Sequence, residues 1–445
     1  MNPATFATTV KPSFTEDWFD EPMSTQPALA RRLGLGDAVV IGLGSMIGAG
    51  VFAAFGPAAR AAGTWLLLGL AIAALVAYCN ATASAQLAAA YPRAGGTYLY
   101  GREVLGEWWG FLAGWGFVVG KTASCAAMAM TFAAYAVPEG WQRPVAAAVV
   151  VVLALVNCAG ITRTAGLTRV IVSLVLVALV LAVAAALGGG NPQGLGQDLR
   201  DWDAPQGAYG VLQSAGLLFF AFAGYARIAT LGEEVRDPER IIPRAIVVAL
   251  LGAVAVYAVV AVAVLSVLGP EATAGSSQPV ADAVAAGSWD WAVPAVRVGA
   301  ALAAAGALLA LVAGLGRTAL AMAREGDLPR WLAAVHPRFQ VPHRAELTAA
   351  AVVVVLVLLA DLRGVIGFSS FGVLLYYFVA NAAARAQPGE QRRFPRWLQY
   401  LGCAGCLVLV ATLPWEAVVA GVLVFVVGVV GRWLRRAVKA PPETR

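Results

Sequence analysis

Apolar runs follow one another along almost the whole chain, separated by short polar or Pro- and Gly-rich stretches. Cutting at those stretches predicts helical spans at 36–58, 64–89, 107–136, 143–160, 167–188, 209–232, 245–268, 292–322, 346–361, 363–384, 397–413 and 415–433. Each lies near the ~20 residues a helix needs to cross the hydrocarbon core of a bilayer. The pattern therefore predicts an all-α polytopic membrane protein with about twelve transmembrane helices. Asp361-Leu362-Arg363 and Pro414 are the shortest punctuation, so the boundaries between spans 9 and 10 and between spans 11 and 12 are the loosest.

Composition agrees. Of 445 residues, 60% are hydrophobic and 13% charged, and the mean hydropathy is +0.76. Soluble domains run near 45–50% apolar and about 25% charged, so the excess apolar surface must face lipid. Residues 1–35 are polar, with Lys11, Glu16, Asp17, Asp20 and Glu21 and no apolar core before a cleavage site; they read as a cytoplasmic tail. With the N-terminus inside, roughly 23 of 31 basic residues fall on the cytoplasmic side. Arg60, Arg143, Arg200, Arg297 and Arg363 fall outside. The expected place is the inner membrane, with both termini cytoplasmic. The formal charge of +6 then follows from topology and gives no reason to expect nucleic acid.

Chemistry narrows the class further. Cys79, Cys125, Cys158, Cys403 and Cys406 all sit in apolar runs, and the Cys403/Cys406 pair has no histidine nearby, so packing is the expected role. His336 and His343 share one polar loop. No clustered Ser/His/Asp, paired acids or metal ligands stand at membrane depth, so neither an enzyme nor a metal or cofactor is expected.

A spanning helix satisfies its own backbone, and a break is tolerated only where it lines a cavity. Two glycine-marked stretches suggest such breaks. Span 1 reads Gly42-Leu43-Gly44-Ser45-Met46-Ile47-Gly48-Ala49-Gly50-Val51-Phe52, and span 6 reads Phe219-Phe220-Ala221-Phe222-Ala223-Gly224-Tyr225-Ala226-Arg227. Small residues also let helices pack closely. These two clusters, however, open successive five-helix blocks, the position expected of discontinuous helices in an inverted-repeat carrier with its site at mid-membrane. Free N–H groups of one half-helix suit a carboxylate, and free carbonyls of the other suit an ammonium. A zwitterionic amino acid matches both.

The same residues resemble the amino acid–polyamine–organocation superfamily. Gly44 to Phe52 carries the likeness in span 1, and Tyr91-Pro92-Arg93-Ala94-Gly95-Gly96-Thr97-Tyr98 before span 3. Phe219 to Tyr225, continuing to Glu233-Glu234-Val235-Arg236-Asp237-Pro238, carries it in span 6. Arg317 with Ala321-Met322-Ala323-Arg324-Glu325-Gly326-Asp327-Leu328-Pro329 carries it at the end of span 8. The resemblance implies a LeuT-type fold of 5+5 inverted repeats, with helices 1 and 6 discontinuous and blocks at 36–190 and 209–384. Spans 11 and 12 (397–433) then serve packing, and 434–445 forms a basic cytoplasmic tail. It also implies amino-acid transport by alternating access. Ile47, Gly48, Ala49 and Gly50 fall at the substrate carboxylate and amine, with Ala221 and Ala223 offering backbone contacts. Phe220 or Phe222 is the aromatic lid, and Ser45 and Thr122 complete the candidate set.

Four charged residues are coupling or gating candidates: Lys121 in span 3, Arg227 after the sixth-span break, Glu233, and Arg317 in span 8. Charge within a membrane is costly and so points to function. Arg317 can also snorkel, and Arg227 with Glu233 can form an inner ion pair. Lys121 has no acidic partner apparent in spans 3, 8 or 10. Some proton-coupled members carry a lysine in span 5, where this chain has Val175. Lys121 is therefore expected to supply the titratable or cationic group, with a substrate-carboxylate or packing role as the alternative. Gly120 and Ala226 stand where cationic-substrate members often carry acids, so a neutral or acidic amino acid is favoured over a cationic one. The coupling ion expected is the proton, with an exchanger or a non-transporting sensor as the alternatives.

Overall fold

A computed structural model describes residues 33–91, 95–160, 165–189, 204–231, 234–287 and 289–439. Their architecture is helical throughout. In chain order the α-helices are α1 (Leu35–Met46), α2 (Ala49–Ala53), α3 (Phe55–Ala62), α4 (Leu66–Ala90), α5 (Gly96–Leu105) and α6 (Glu107–Ala136). Then come α7 (Gln142–Cys158), α8 (Ala165–Gly189), α9 (Gly207–Phe222), α10 (Ala226–Ala229), α11 (Pro238–Gly275) and α12 (Pro279–Ala285). The last five are α13 (Val293–Arg324), α14 (His343–Leu359), α15 (Leu362–Ala386), α16 (Arg396–Thr412) and α17 (Trp415–Lys439).

Among the described residues, eight helical stretches are long and apolar enough to cross a membrane, and α7, α9 and α16 are shorter apolar helices. With α14 these account for every expected span, and α6 coincides with 107–136. The molecule is an all-α polytopic membrane protein. Its outer faces carry large exposed apolar side chains, such as Val180 at 69% and Val427 at 68%, which lipid must cover. α6 runs through the centre, packed along α13 and α15. Gly116 and Gly120 of α6 meet Gly372 of α15: a Cβ at Gly120 would lie 3.0 Å from both the Ser369 carbonyl and the Val373 nitrogen.

The last carbonyls of a helix lack intrahelical partners and favour a nearby cation. Three of the arginines expected outside do this work. Arg60 donates to the Ala274 carbonyl at 3.0 Å, Arg143 to Leu358 at 3.2 Å, and Arg297 to Tyr135 at 3.0 Å, each in the last turn of a helix. Arg363 donates to Gln213 Oε1 at 2.8 Å, and Gln213 in turn donates to the Thr412 carbonyl at 3.2 Å. Arg200 lies outside the described residues.

Some expectations meet a different arrangement. Between the apolar runs 245–268 and 292–322 the sequence leaves room for a short surface helix at 270–291; α12 there buries Pro279, Val280, Ala281, Ala283 and Val284, because its apolar residues find α8, α11 and α13 beside it. Of the tail 1–35 only residues 33–35 are described, and Leu33 is paired: its N–H donates to Glu234 O at 3.1 Å and its carbonyl accepts from Arg236 N at 3.0 Å. Residues 190–203 lie outside the described residues. α17 continues to Lys439, past the start of the basic tail expected at 434–445, and Arg432 within the helix is 1% exposed.

Candidate substrate site

The first helix breaks at Ile47. Its backbone (φ −77°, ψ 64°) forms an inverse γ-turn, in which Gly48 N–H donates to Met46 O at 2.8 Å. α2 starts immediately after, at Ala49. The second break follows Phe222. Tyr225 N–H donates to Phe222 O at 3.5 Å and Arg227 N–H to Gly224 O at 3.0 Å. In an unbroken helix those donors would serve Ala221 O and Ala223 O. The turn thus releases two carbonyls, just as the γ-turn removes the Gly50 N–H from Met46 O.

Buried carbonyls need donors, and three surrounding helices supply them. Tyr257 of α11 places its hydroxyl 2.6 Å from Met46 O and 2.9 Å from Ala221 O. One phenol proton serves one carbonyl at a time, so this side chain straddles both breaks. Lys121 of α6, 6% exposed, donates from Nζ to Ala223 O at 3.1 Å. Tyr377 of α15 donates to the same oxygen at 3.4 Å. No ion pair involves Lys121 among the described residues.

The two breaks also touch directly. A Cβ at Gly224 would collide with the Ser45 carbonyl, and one at Gly50 would lie 2.6 Å from Ala221 Cα. A Cβ at Gly48 would come within 2.8 Å of the Ala307 methyl on α13. Gly224 and Gly50 are therefore required by backbone approach, and Gly48 by a methyl of α13, whatever else they do.

Ile47, Gly48, Ala49, Gly50, Ala221, Ala223 and Lys121 are thus brought together, with Phe220 beside them. Phe220 (6% exposed) shares an apolar cluster with Ala49, Leu217 and Cys125, whereas the Phe222 ring packs on Tyr257 with centroids 5.0 Å apart. Ser45 and Thr122 turn their hydroxyls to their own helices, bonding Ile41 O at 2.8 Å and Val118 O at 2.7 Å. Arg227 is half-buried and donates to Thr230 Oγ1 at 3.2 Å. Arg317 is exposed and makes no ion pair among the described residues. Glu233 lies outside them, as do 92–94 of the stretch before span 3. Val175 lines an apolar crevice with Gly44, Ile47, Ile171, Val172 and Ala303 that reaches the first break. Tyr257 and Tyr377 were the residues that pattern reading missed. Their only signal was a polar tip in the middle of an apolar run, which packing explains equally well.

A lipid-embedded helical bundle whose unwound stretches meet in a buried nest of carbonyls and donors is the build of a membrane transporter. Residues 33–430 match the family described as amino acid permease, and the chain belongs to it. That membership makes the protein an amino-acid transporter of the superfamily suggested by its motifs, and not an enzyme. An uncharacterized transporter of Mycobacterium tuberculosis (strain ATCC 25618 / H37Rv) is 58% identical over 422 residues, 94% of each chain. The branched-chain amino acid permease BcaP of Bacillus subtilis (strain 168) is 26% identical over 92% of this chain and 93% of its own. Cationic amino acid transporter 4 of Homo sapiens is 30% identical over 88% of this chain and 67% of its own.

Proposed function

We propose that the protein moves a neutral or acidic amino acid across the inner membrane by alternating access, coupled to protons. In this reading both termini are cytoplasmic, and 36–190 and 209–384 form inverted repeats. The observation that carries the reading is the Lys121 bond to Ala223 O. A protonated Lys121 holds the Ala223 carbonyl with a charge-assisted bond and so fixes the second break in the form that takes substrate. Loss of its proton weakens that bond, so protonation of the lysine and binding of substrate favour one another. The N–H groups at Gly48 to Gly50 take the substrate carboxylate, and Phe220 covers the side chain. Arg227, Glu233 and Arg317 belong to the inward path.

Substrate class follows from packing at Gly120. An acid there, one residue from Lys121, would force α6 and α15 apart, since even a Cβ meets the α15 backbone at 3.0 Å. Without it nothing on α6 beside Lys121 attracts a cationic side chain. The branched-chain substrates of the Bacillus relative support a neutral substrate; a cationic substrate, as in the human relative, does not fit this packing.

Uptake of a labelled amino-acid panel into empty and preloaded proteoliposomes tests this. Saturable entry of leucine, valine or glutamate into empty vesicles is expected. Lysine and arginine as the sole substrates would refute the class, and entry only into preloaded vesicles would make the protein an exchanger.

A further inference from the structure

Below the site, at the end of the bundle that carries α5, lies a group of charges the transport reading does not use. Asp327, just past α13, and Arg432 of α17 are each 1% exposed and form an ion pair of 2.9 Å. Arg102 of α5 stands 3.6 Å from the other Asp327 oxygen, which also accepts from Tyr98 Oη of α5 at 2.9 Å. Arg102 pairs further with Glu325 at 3.0 Å and Glu107 at 3.5 Å. The Arg432 guanidinium lies 4.5 Å from the Trp108 ring centre and 4.7 Å from that of Phe111, a stacking geometry that favours arginine. α17 is otherwise the least enclosed of the long spans, with 22% of its apolar window buried. A buried ion pair costs desolvation, so a lipid-facing helix gains little stability by sending arginine inward. Its value must lie in what it holds.

What it holds is α5. This helix is bounded by glycines in the left-handed half of φ space, Gly95 (138°) just before it, Gly96 (57°) at its first position and Gly106 (103°) just after it. Such joints let a rigid segment pivot, so side-chain contacts set its position. One set is the Asp327 group. The other lies in its first turn, next to Tyr98, where Thr97 N–H donates to Tyr376 Oη at 3.2 Å. Tyr376 packs edge-on against Tyr377, centroids 5.0 Å apart, and Tyr377 donates to Ala223 O in the second break. A continuous set of contacts thus runs from Arg432 through Asp327, α5 and the two tyrosines to the break.

We infer that Arg432 is a positioning residue for the transport site: by fixing Asp327 it fixes the tilt of α5, and through Tyr376 and Tyr377 the geometry at Ala223. The inference rests on the break being the site, and hydrogen–deuterium exchange separates the two, since it needs no substrate. The test uses the full-length protein with Arg432→Lys, and with Arg432→Met combined with Asp327→Asn, which removes both buried charges. Both variants should show faster exchange across 95–105 and also 223–231, with α7 unchanged. L-Leucine turnover should fall about tenfold at constant KM. Faster exchange confined to 102–108 and 325–328, or unchanged turnover, would overturn the inference. So would failure of both variants to fold, since the cluster would then be an element of folding alone.

Discussion

Replacing Gly224 by alanine should leave the protein inserted in the membrane and reduce amino-acid uptake by about 10- to 100-fold. The added methyl has nowhere to go. It meets the Ser45 carbonyl and lies 2.7 Å from the Met46 nitrogen, and a backbone cannot swing aside as a flexible side chain can. Overpacking of this kind costs about 1–3 kcal/mol, and here the displacement falls on the contact between the two breaks. Gly314→Ala in α13 is the matched control, because a Cβ there meets nothing within 4 Å; its uptake should equal the parent's. Equal uptake by the Gly224 and Gly314 variants would mean that the contact between the breaks is dispensable.

Lys121→Met should abolish gradient-driven uptake while leaving the fold in place. The side chain donates one charge-assisted hydrogen bond, worth about 1.5–3 kcal/mol, and it is the lysine bonded to the second break. Lys121→Ala should behave alike, and its uptake should no longer vary with pH. Lys121→Arg separates charge from titration, since a guanidinium keeps its proton in proteins. The arginine variant should catalyse exchange of substrate between the two faces but fail to accumulate it when an inward proton gradient is imposed. Parent-like pH dependence in Lys121→Ala would assign coupling elsewhere.

Much of this was legible in the chain because lipid imposes a simple rule: a crossing helix must be long, apolar and self-satisfied. That rule placed α6 to the residue and located both breaks from glycine spacing. It said little about which buried polar groups meet. Tyr257 reads as packing until its hydroxyl is found between Met46 and Ala221 carbonyls. Lys121 was conspicuous because a lone cation within a span demands an explanation, yet its acceptor, a backbone carbonyl of a distant helix, carries no side-chain signature. Arg432 was obscured for another reason. Basic residues at the inner end of a last span are what topology alone predicts, so its pairing with Asp327 had nothing to distinguish it from the exposed arginines nearby. The choice between Phe220 and Phe222 also needed the packing, since a helix turn that is broken no longer fixes which face each ring takes.

The most direct test of the account is uptake of labelled L-leucine into proteoliposomes, measured with and without an inward proton gradient at constant membrane potential. The account predicts saturable uptake that rises above equilibrium only with the gradient and loses that rise in Lys121→Arg. Uptake that ignores the gradient in the parent would contradict it.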